Sequence, residues 1–275
     1  MATLQTVQKI GPVLDLFTIQ RPEWGVSEVA VEIDVPRSSA HALLSSLVDT
    51  GLLQCRTRGR YRLGWRIIEM GQTLRGTIDV RSCAAPVLER LVETYGETAH
   101  LAVMERSQVL YVDKVIGTHN ITVQGARVGA RLEAHTTAVG KVLLAALEDV
   151  EVRRYLAGRT LRRLTPSTIT NPDTLRDVLS VARSSGYAFD LGEAVTEVNC
   201  VAAPVRGDMG DVVAAVSMSV PASRFVPRKQ EFVRAVVSAA RDITAAIANA
   251  ADTAPSPAGC EAPVAFEARR RSLAS

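Results

Sequence analysis

The sequence predicts an α+β protein with two domains, and three observations carry this prediction. The chain has 275 residues, of which 47% are hydrophobic, and this is enough for two cores. Apolar residues recur with a helical period near the N-terminus, and beyond Gly96 the period changes to two. Because the later strands alternate with helices, they favour a layered domain with antiparallel strand pairing.

The first 65 residues are predicted to contain three helices. The second begins near Ser27-Glu28, and the third begins near Pro36, because proline is tolerated at the first helical position. Gly51 ends the third helix, since glycine readily adopts a positive φ. Each helix has one apolar face. These faces comprise Leu4, Val7, Ile10, Val13, Leu14 and Phe17, then Val26, Val29, Ala30 and Ile33, and then Ala40, Leu43, Leu44 and Leu47.

The opposite face of the third helix is predicted to read DNA. Ser38, His41, Ala42 and Ser45 on this face, with Arg37 near its N-terminal end, are small or polar and none is acidic, so a major groove admits them without steric or charge conflict. The positive N-terminal end of the helix dipole also suits DNA phosphates. The alternative is an ordinary amphipathic surface helix. The candidate DNA contacts on this helix are Arg37, Ser38, Ser39, His41 and Ser45.

An arginine-rich hairpin is predicted next, with its turn at Arg58-Gly59. A spacing of two along a strand places side chains on one face, where arginines can clamp phosphates or enter a minor groove. The alternative is a hairpin edge protected by charge. Three helices and a hairpin predict a winged helix-turn-helix over residues 1–65, with Trp24 in its core. The hairpin contains no acid, and its candidate DNA contacts are Arg56, Arg58, Arg60 and Arg62.

The rest of the chain is predicted to form a helical linker over residues 66–80 and a larger domain over residues 81–251. In this domain one helix ends at Tyr95, strands follow, and a long helix closes the fold. The tail, residues 252–275, is rich in alanine, proline and serine and is predicted to be disordered. The predicted strands are 98–104, 109–112, 121–123, 187–191, 199–206 and 212–220, and the predicted helices are 136–147, 150–157, 172–185 and 228–250.

Several blocks of the sequence resemble the IclR family of bacterial transcriptional regulators. They include VPRSSAH at residues 35–41 and GRYRLG at residues 59–64, and then HTTAVGK at residues 135–141 and NCVAAPV at residues 199–205. The resemblance covers roughly residues 4–250. It implies that the C-terminal part is a GAF-like α/β effector-binding domain. The implied partners are double-stranded operator DNA and a small-molecule effector, and the implied assembly is a homodimer or homotetramer.

The resemblance also implies an effector pocket. Free N–H groups where the loop at His135 enters a helix favour an anion, and Thr136 or Thr137 is expected to cap that helix. An ionised Asp190 would repel an anionic group, so it is expected to accept hydrogen bonds from an effector hydroxyl or from the protein. The residues that match the family's pocket are Leu132, Ala138, Val139, Asp190, Cys200, Ser217 and Ser219.

The chain departs from the family pattern at three positions. Family members often carry glycine where this chain has Ala138 and proline where it has Glu133, and the Ala138 methyl group is expected to narrow the pocket. They also carry arginine where this chain has Ala42. We therefore expect the hairpin arginines to supply a larger share of the DNA affinity here.

Composition excludes several other classes of protein. The net charge is only +3, so the chain is not a general polycation, and no apolar run is long enough for a membrane span. No signal peptide is expected, and the scattered cysteines suggest neither a zinc site nor disulfides. A cytoplasmic protein without metal or cofactor is therefore predicted. The four cysteines are at positions 55, 83, 200 and 260.

The predicted function is transcriptional regulation of a catabolic or metabolic operon, controlled by a small effector that is expected to be an organic acid. Repression is the expected mode, with activation as an alternative. Two other possibilities are a DNA-binding regulator that responds to a protein partner and an enzyme that uses Cys200 as nucleophile with His100 or His135 as base. No catalytic residue is assigned, because Cys200 lies in an apolar segment, where cysteine is commonly a small buried hydrophobe.

Overall fold

The computed structural model describes residues 5–56, 59–77, 80–118, 126–207 and 209–253. The chain divides into two compact units, Met1–Ile78 and Asp79–Ser275. Arg58, the strand predicted at residues 121–123, and the tail beyond residue 253, which includes Cys260, lie outside the described residues. No helix in the described part of the chain is long and apolar enough to cross a membrane.

The first unit contains the predicted winged helix-turn-helix and also α4, the helix predicted as a linker. Gly51 has a φ of 77°, as expected for a glycine that ends a helix. One element was not predicted: a short strand at Trp24 pairs with the second hairpin strand, so the wing has three strands in the order β1-β3-β2. The elements are α1 (Gln5–Asp15), β1 (Trp24–Gly25), α2 (Val26–Glu32), α3 (Arg37–Asp49), β2 (Leu53–Arg56), β3 (Arg60–Leu63) and α4 (Arg66–Thr77).

The core of this unit confirms most of the apolar pattern of the sequence, but Val7 is 56% exposed, so the predicted face of α1 packs on the core only from Ile10 onward. Ala40, Leu43, Leu44 and Leu47 of α3 are all buried. Trp24 is 5% exposed, and its Nε1 donates a hydrogen bond of 2.8 Å to the carbonyl of Leu16. It is therefore a core residue, as predicted. This packing turns the apolar stripe of α3 inward and leaves the opposite face of α3 exposed.

The second unit is built on an antiparallel sheet with the strand order β6-β5-β4-β9-β8-β7 among the described residues. Its strands are β4 (Thr98–Glu105), β5 (Gln108–Val115), β6 (Arg131–Leu132), β7 (Ala188–Leu191), β8 (Val198–Arg206) and β9 (Val212–Pro221). Its helices are α5 (Val80–Tyr95), α6 (Ala138–Ala145), α7 (Asp149–Leu156), α8 (Pro172–Ser185) and α9 (Ala222–Thr253).

Helices cover both faces of this sheet. Helices α5 and α9 pack on one face over a core that includes Leu101, Val216 and Phe232. Helix α6 packs on the other face, against β7, β8 and β9, and α8 packs against α6. Because successive side chains of a strand point to opposite faces, each central strand contributes to both cores.

The structure corrects two helix boundaries. The helix predicted over 136–147 is a short 3₁₀ turn, Ala134–Thr136, followed by α6, because Thr137 is extended and caps α6. The last helix was expected to begin at residue 228, but α9 begins at Ala222 and is interrupted at Arg228, next to Pro227. Proline removes one helical hydrogen bond, so the chain can bend there without ending the helix.

Candidate DNA interface and ligand site

The exposed face of α3 contains all the predicted DNA contacts of that helix. Arg37, Ser38, Ser39, His41 and Ser45 are exposed, and the first turn of α3 contains no acidic residue. A helix with this surface fits a major groove, where hydroxyl and imidazole groups can bond to base edges and arginine can bond to phosphate.

The register of the wing brings three of its arginines to one face. Arg56 lies opposite Arg60, and Gln54 lies opposite Arg62. Since residues two apart on a strand share a face, these four side chains form one polar surface. Arg62 donates from Nε and Nη2 to the Gln54 amide oxygen at 3.1 and 2.9 Å, which leaves its positive charge without a carboxylate in that contact.

Arg60 differs from Arg62, because the fold brings an acid to it. Its Nη1 lies 2.6 Å from Glu28 Oε2, and its Nη2 donates to the Glu23 carbonyl at 2.9 Å. The hairpin itself contains no acid, but α2 and the segment before it supply Glu28 and Glu23. The Gly25 N–H, and then Arg60 and Arg21, hold the pKa of Glu28 below its usual range. Arg60 thus joins the wing to the start of α2.

The predicted effector residues of β7, β8 and β9 lie side by side on the sheet face that α6 covers. Asp190 is opposite Cys200, which is opposite Ser219, and Ser217 is two residues along the same strand. The Cys200 Sγ and Ser219 Oγ atoms are 3.2 Å apart. Ala138 and Val139 form the start of α6 and are buried in the core on this face.

Leu132 lies at the other end of the sheet. It belongs to the edge strand β6, whereas Asp190 belongs to the opposite edge strand β7. Its side chain is half-buried and packs on the same hydrophobic core as Ala138 and Val139. The structure therefore groups Leu132 with the apolar part of the predicted site and not with its polar row.

The N-terminus of α6 is the place where the sequence predicted an anion site, and a threonine caps it. Thr137 Oγ1 accepts a hydrogen bond from the Gly140 N–H at 3.1 Å, and Thr136 Oγ1 donates to the Glu133 carbonyl at 3.0 Å. The expected capping is thus confirmed, and Thr137 is the residue that caps. The first N–H groups of a helix have no acceptor within it. Those of Ala138 and Val139 are therefore the groups that can bind a carboxylate.

Asp190 is held by the protein rather than free. Its Oδ1 accepts from the Glu193 N–H at 2.6 Å and from the Ala194 N–H at 3.3 Å. Burial raises its pKa from the ordinary 3.8 to about 7, although these N–H groups and Lys141 oppose the shift. A partly protonated carboxyl at neutral pH repels an anionic effector less than a fully ionised one would.

Cys200 does not have the environment of a nucleophile. Burial, and then the nearby Asp190, raises the pKa of its thiol. A thiol that stays protonated at neutral pH reacts slowly, because the thiolate is the reactive form. This geometry gives no support to the alternative of a Cys200-dependent enzyme.

Four polar residues of this region were not assigned to the pocket from the sequence. His100 and Tyr111 come from β4 and β5, with ring centroids 5.3 Å apart. Lys141 and Glu193 form a buried ion pair beside Asp190. The period of two in β4 shows that His100 shares a face with Ala102. Which strands lie next to β4 is visible only in the folded sheet.

A separate cavity of about 590 Å³ contains none of the predicted effector residues. It lies near the end of α6 and is lined by Met104, Leu144, Tyr155 and Arg159, among others. The predicted ligand site is therefore defined by its side chains and by the start of α6. No cluster of potential metal ligands occurs among the described residues.

The Asp190→Asn variant is expected to change how stability depends on pH. The folded-state pKa of Asp190 lies above the ordinary value of 3.8, so stability is highest when the carboxyl is protonated. The free energy of unfolding of the wild type should fall, relative to the variant, as pH rises from 3.8 to about 7. The limiting slope is about 1.4 kcal/mol per pH unit. Urea denaturation across this range measures it, and parallel curves would contradict the assignment.

Comparisons with known proteins agree with both units. Residues 6–56 match the family model of the IclR helix-turn-helix domain, and residues 72–245 match that of the bacterial transcriptional regulator IclR C-terminal domain. The HTH-type transcriptional regulator XynR of Escherichia coli (strain K12) is 34% identical over 225 residues, which cover 82% of this chain and 89% of that protein. The transcriptional repressor IclR of the same organism is 30% identical over 225 residues, with coverages of 80% and 82%.

Solved structures show the same similarity. An IclR homolog from Microbacterium hydrocarbonoxydans, complexed with 4-hydroxybenzoate, superposes with a TM-score of 0.78 at 29% identity. The match covers 88% of this chain and 99% of that one. The Thermotoga maritima IclR superposes with a TM-score of 0.67 at 30% identity, covering 90% of this chain and 100% of that one.

Proposed function

We infer that this chain, which belongs to the IclR family of bacterial transcriptional regulators, is a DNA-binding regulator with a C-terminal effector-binding domain. The observation that carries this inference is the pairing of an exposed α3 face, whose first turn contains no acid, with an arginine-bearing wing in one compact unit. The relatives named above include a transcriptional repressor. We propose that this chain represses a catabolic or metabolic operon.

In this proposal α3 enters a major groove of the operator. Arg37, Ser38, Ser39, His41 and Ser45 contact bases and phosphates, because all five side chains are exposed. A homodimer would place two such helices about one helical turn apart on a pseudo-palindromic site, and two dimers could form a homotetramer.

The wing arginines are proposed to have different roles. Arg56 and Arg62 contact the DNA backbone, and Arg58 is proposed to do the same. Arg60 binds Glu28 and the Glu23 carbonyl, so we propose that it mainly holds the wing in place. The chain has alanine at position 42, where the family pattern has arginine, and therefore lacks that contribution to DNA affinity. We propose that Arg56, Arg58 and Arg62 supply most of this missing affinity.

The effector is proposed to be a small organic acid in the site beneath α6. Its carboxylate would accept hydrogen bonds from the N–H groups of Ala138 and Val139, with Asp190, Cys200, Ser217 and Ser219 on the facing sheet and Leu132 on the apolar side. One similar protein was solved with an organic acid, 4-hydroxybenzoate. To act as a regulator, the effector must bind the DNA-competent and DNA-incompetent forms with different affinities.

Wing variants test the DNA-binding part of this proposal. Arg62→Ala is expected to weaken binding to the DNA upstream of the protein's own gene and to reduce the slope of log K against log salt by about 0.9, the value for one phosphate contact. Arg60→Ala should lower the melting temperature of the first unit as well. Fluorescence anisotropy at several salt concentrations measures the affinities. Arg154→Ala, in the other unit, is the control.

Two results would contradict the proposal. An equal affinity of the wild type for this upstream DNA and for random DNA of the same length would exclude sequence-specific regulation. An unchanged salt slope in Arg62→Ala would exclude the proposed phosphate contact. If DNA binding is specific but no organic acid raises the melting temperature, regulation by a protein partner becomes the favoured alternative.

A further inference from the structure

One buried nitrogen beside the predicted effector residues has no hydrogen-bond partner among the described residues. His100 is 1% exposed, and the unpaired atom is its Nε2. The register of the sheet places His100 opposite Ser217 on β9 and opposite Lys114 on β5. Most buried polar atoms in proteins are hydrogen-bonded, so an unpaired imidazole nitrogen next to a ligand site points to a missing ligand group.

The other nitrogen of His100 connects it to the predicted site. Ser219 Oγ lies 3.5 Å from His100 Nδ1 and 3.2 Å from Cys200 Sγ. Burial, and then the nearby Lys114, lowers the pKa of His100 to about 3, so the ring is neutral and carries one proton. If Ser219 donates to Nδ1, then Nε2 is a donor, and if Nδ1 donates to Ser219, then Nε2 is an acceptor. A hydroxyl group can satisfy either form.

One side chain close to His100 remains partly accessible. Cys200 belongs to an interior strand, yet part of its surface remains accessible, while its cross-strand neighbours Asp190 and Ser219 are buried. The Tyr111 ring meets the imidazole edge-on, at an interplanar angle of 74°. The site thus has a polar row on one side and an aromatic wall on another, which suits a small acid with an apolar body.

We propose that the effector is a hydroxylated carboxylic acid, with its hydroxyl group hydrogen-bonded to His100 Nε2 and its carboxylate at the first turn of α6. This inference rests on the proposed effector site and adds to it the residue that selects the second polar group. His100 would then distinguish a hydroxy acid from the same acid without the hydroxyl group, because only the hydroxy acid satisfies the buried nitrogen.

Matched pairs of acids test this inference by titration calorimetry. The probes are benzoate against 3-hydroxybenzoate and 4-hydroxybenzoate, and propionate against 3-hydroxypropionate. In at least one pair the wild type should bind the hydroxylated acid at least about tenfold more tightly. In His100→Phe this preference should fall to about twofold or less. Tyr155→Phe is the control, since it removes a buried hydroxyl group that lines the separate cavity, and it should keep the preference.

A second measurement does not depend on the folding of a variant. In the wild type, labelled with ¹⁵N at its four histidines, the Nε2 resonance of His100 should shift when the preferred hydroxy acid binds and not when its partner acid binds. Three results would overturn this inference alone. They are equal binding within every pair of acids, a preference that persists in His100→Phe, and an Nε2 resonance that does not shift. The last result is expected if only water occupies the site. Failure of every probe to bind would overturn it together with the proposed class of effector.

Discussion

Replacing Lys141 by methionine is expected to destabilise the second unit by about 3–5 kcal/mol, the usual result of removing one partner of a buried ion pair. Lys141 is 1% exposed, and its Nζ donates to Glu193 and, at 2.9 Å, to the Phe189 carbonyl. Methionine has a similar length and fills the space. The cost therefore comes from Glu193, which is 6% exposed and has one oxygen, Oε2, without a hydrogen-bond partner in the described part of the chain.

The double variant Lys141→Met/Glu193→Gln separates charge from packing. If the unpaired carboxylate causes the loss, glutamine should restore a large part of it, because a neutral amide is less costly to bury. Urea denaturation of the four proteins in this cycle measures the coupling. Arg228→Ala, which breaks an exposed pair with Glu231, should cost less than about 1 kcal/mol. Strictly additive losses in the cycle would show that Lys141 acts through packing alone.

Local patterns predicted the elements and the faces they bury. The spacing of Ala40, Leu43, Leu44 and Leu47 determines which side of α3 faces the core, and this side is buried as predicted. Gly51 ends α3 with a positive φ. Such features depend on residues within a few positions of each other, so the sequence alone contains the necessary information.

Contacts between residues far apart in the chain could not be predicted from local sequence patterns. Glu28 and Arg60 are 32 positions apart, and Lys141 and Glu193 are 52 positions apart. His100 lies beside Ser219 only because β4 pairs with β9 across more than a hundred residues. A charge or an imidazole in a strand indicates a face, but its partner depends on strand order, which no local pattern specifies.

The same limit affected the wing. Counting arginines in the hairpin predicted four DNA contacts, to phosphates or to a minor groove, and the hairpin contains no acid. The fold instead brings Glu28 against Arg60 and places Gln54 against Arg62. Two arginines on one face of the same strand therefore have different partners, and their expected contributions to DNA affinity differ accordingly.

Replacing Gly140 by alanine is expected to prevent the second unit from folding or to destabilise it by more than about 3 kcal/mol, beyond the usual range for an overpacked core. A Cβ atom at this position would lie 2.2 Å from the Ala134 carbonyl oxygen and 2.5 Å from the Ala134 Cα. Both are backbone atoms of the 3₁₀ turn, so no side-chain rotation relieves the clash. The turn and α6 would have to separate, and the Thr137 cap would be lost with them.

The direction of this effect distinguishes close packing from helix propensity. Within a helix, alanine is favoured over glycine by about 1 kcal/mol, so propensity alone predicts that Gly140→Ala is stabilising. Gly71→Ala, in α4, is the matched control, because a Cβ there meets nothing within 4 Å and should be neutral or slightly stabilising. Thermal unfolding followed by circular dichroism compares the two variants. A melting temperature of Gly140→Ala at or above that of the wild type would show that the turn and α6 are not in contact, and the carboxylate site proposed at the start of α6 would lose its structural basis.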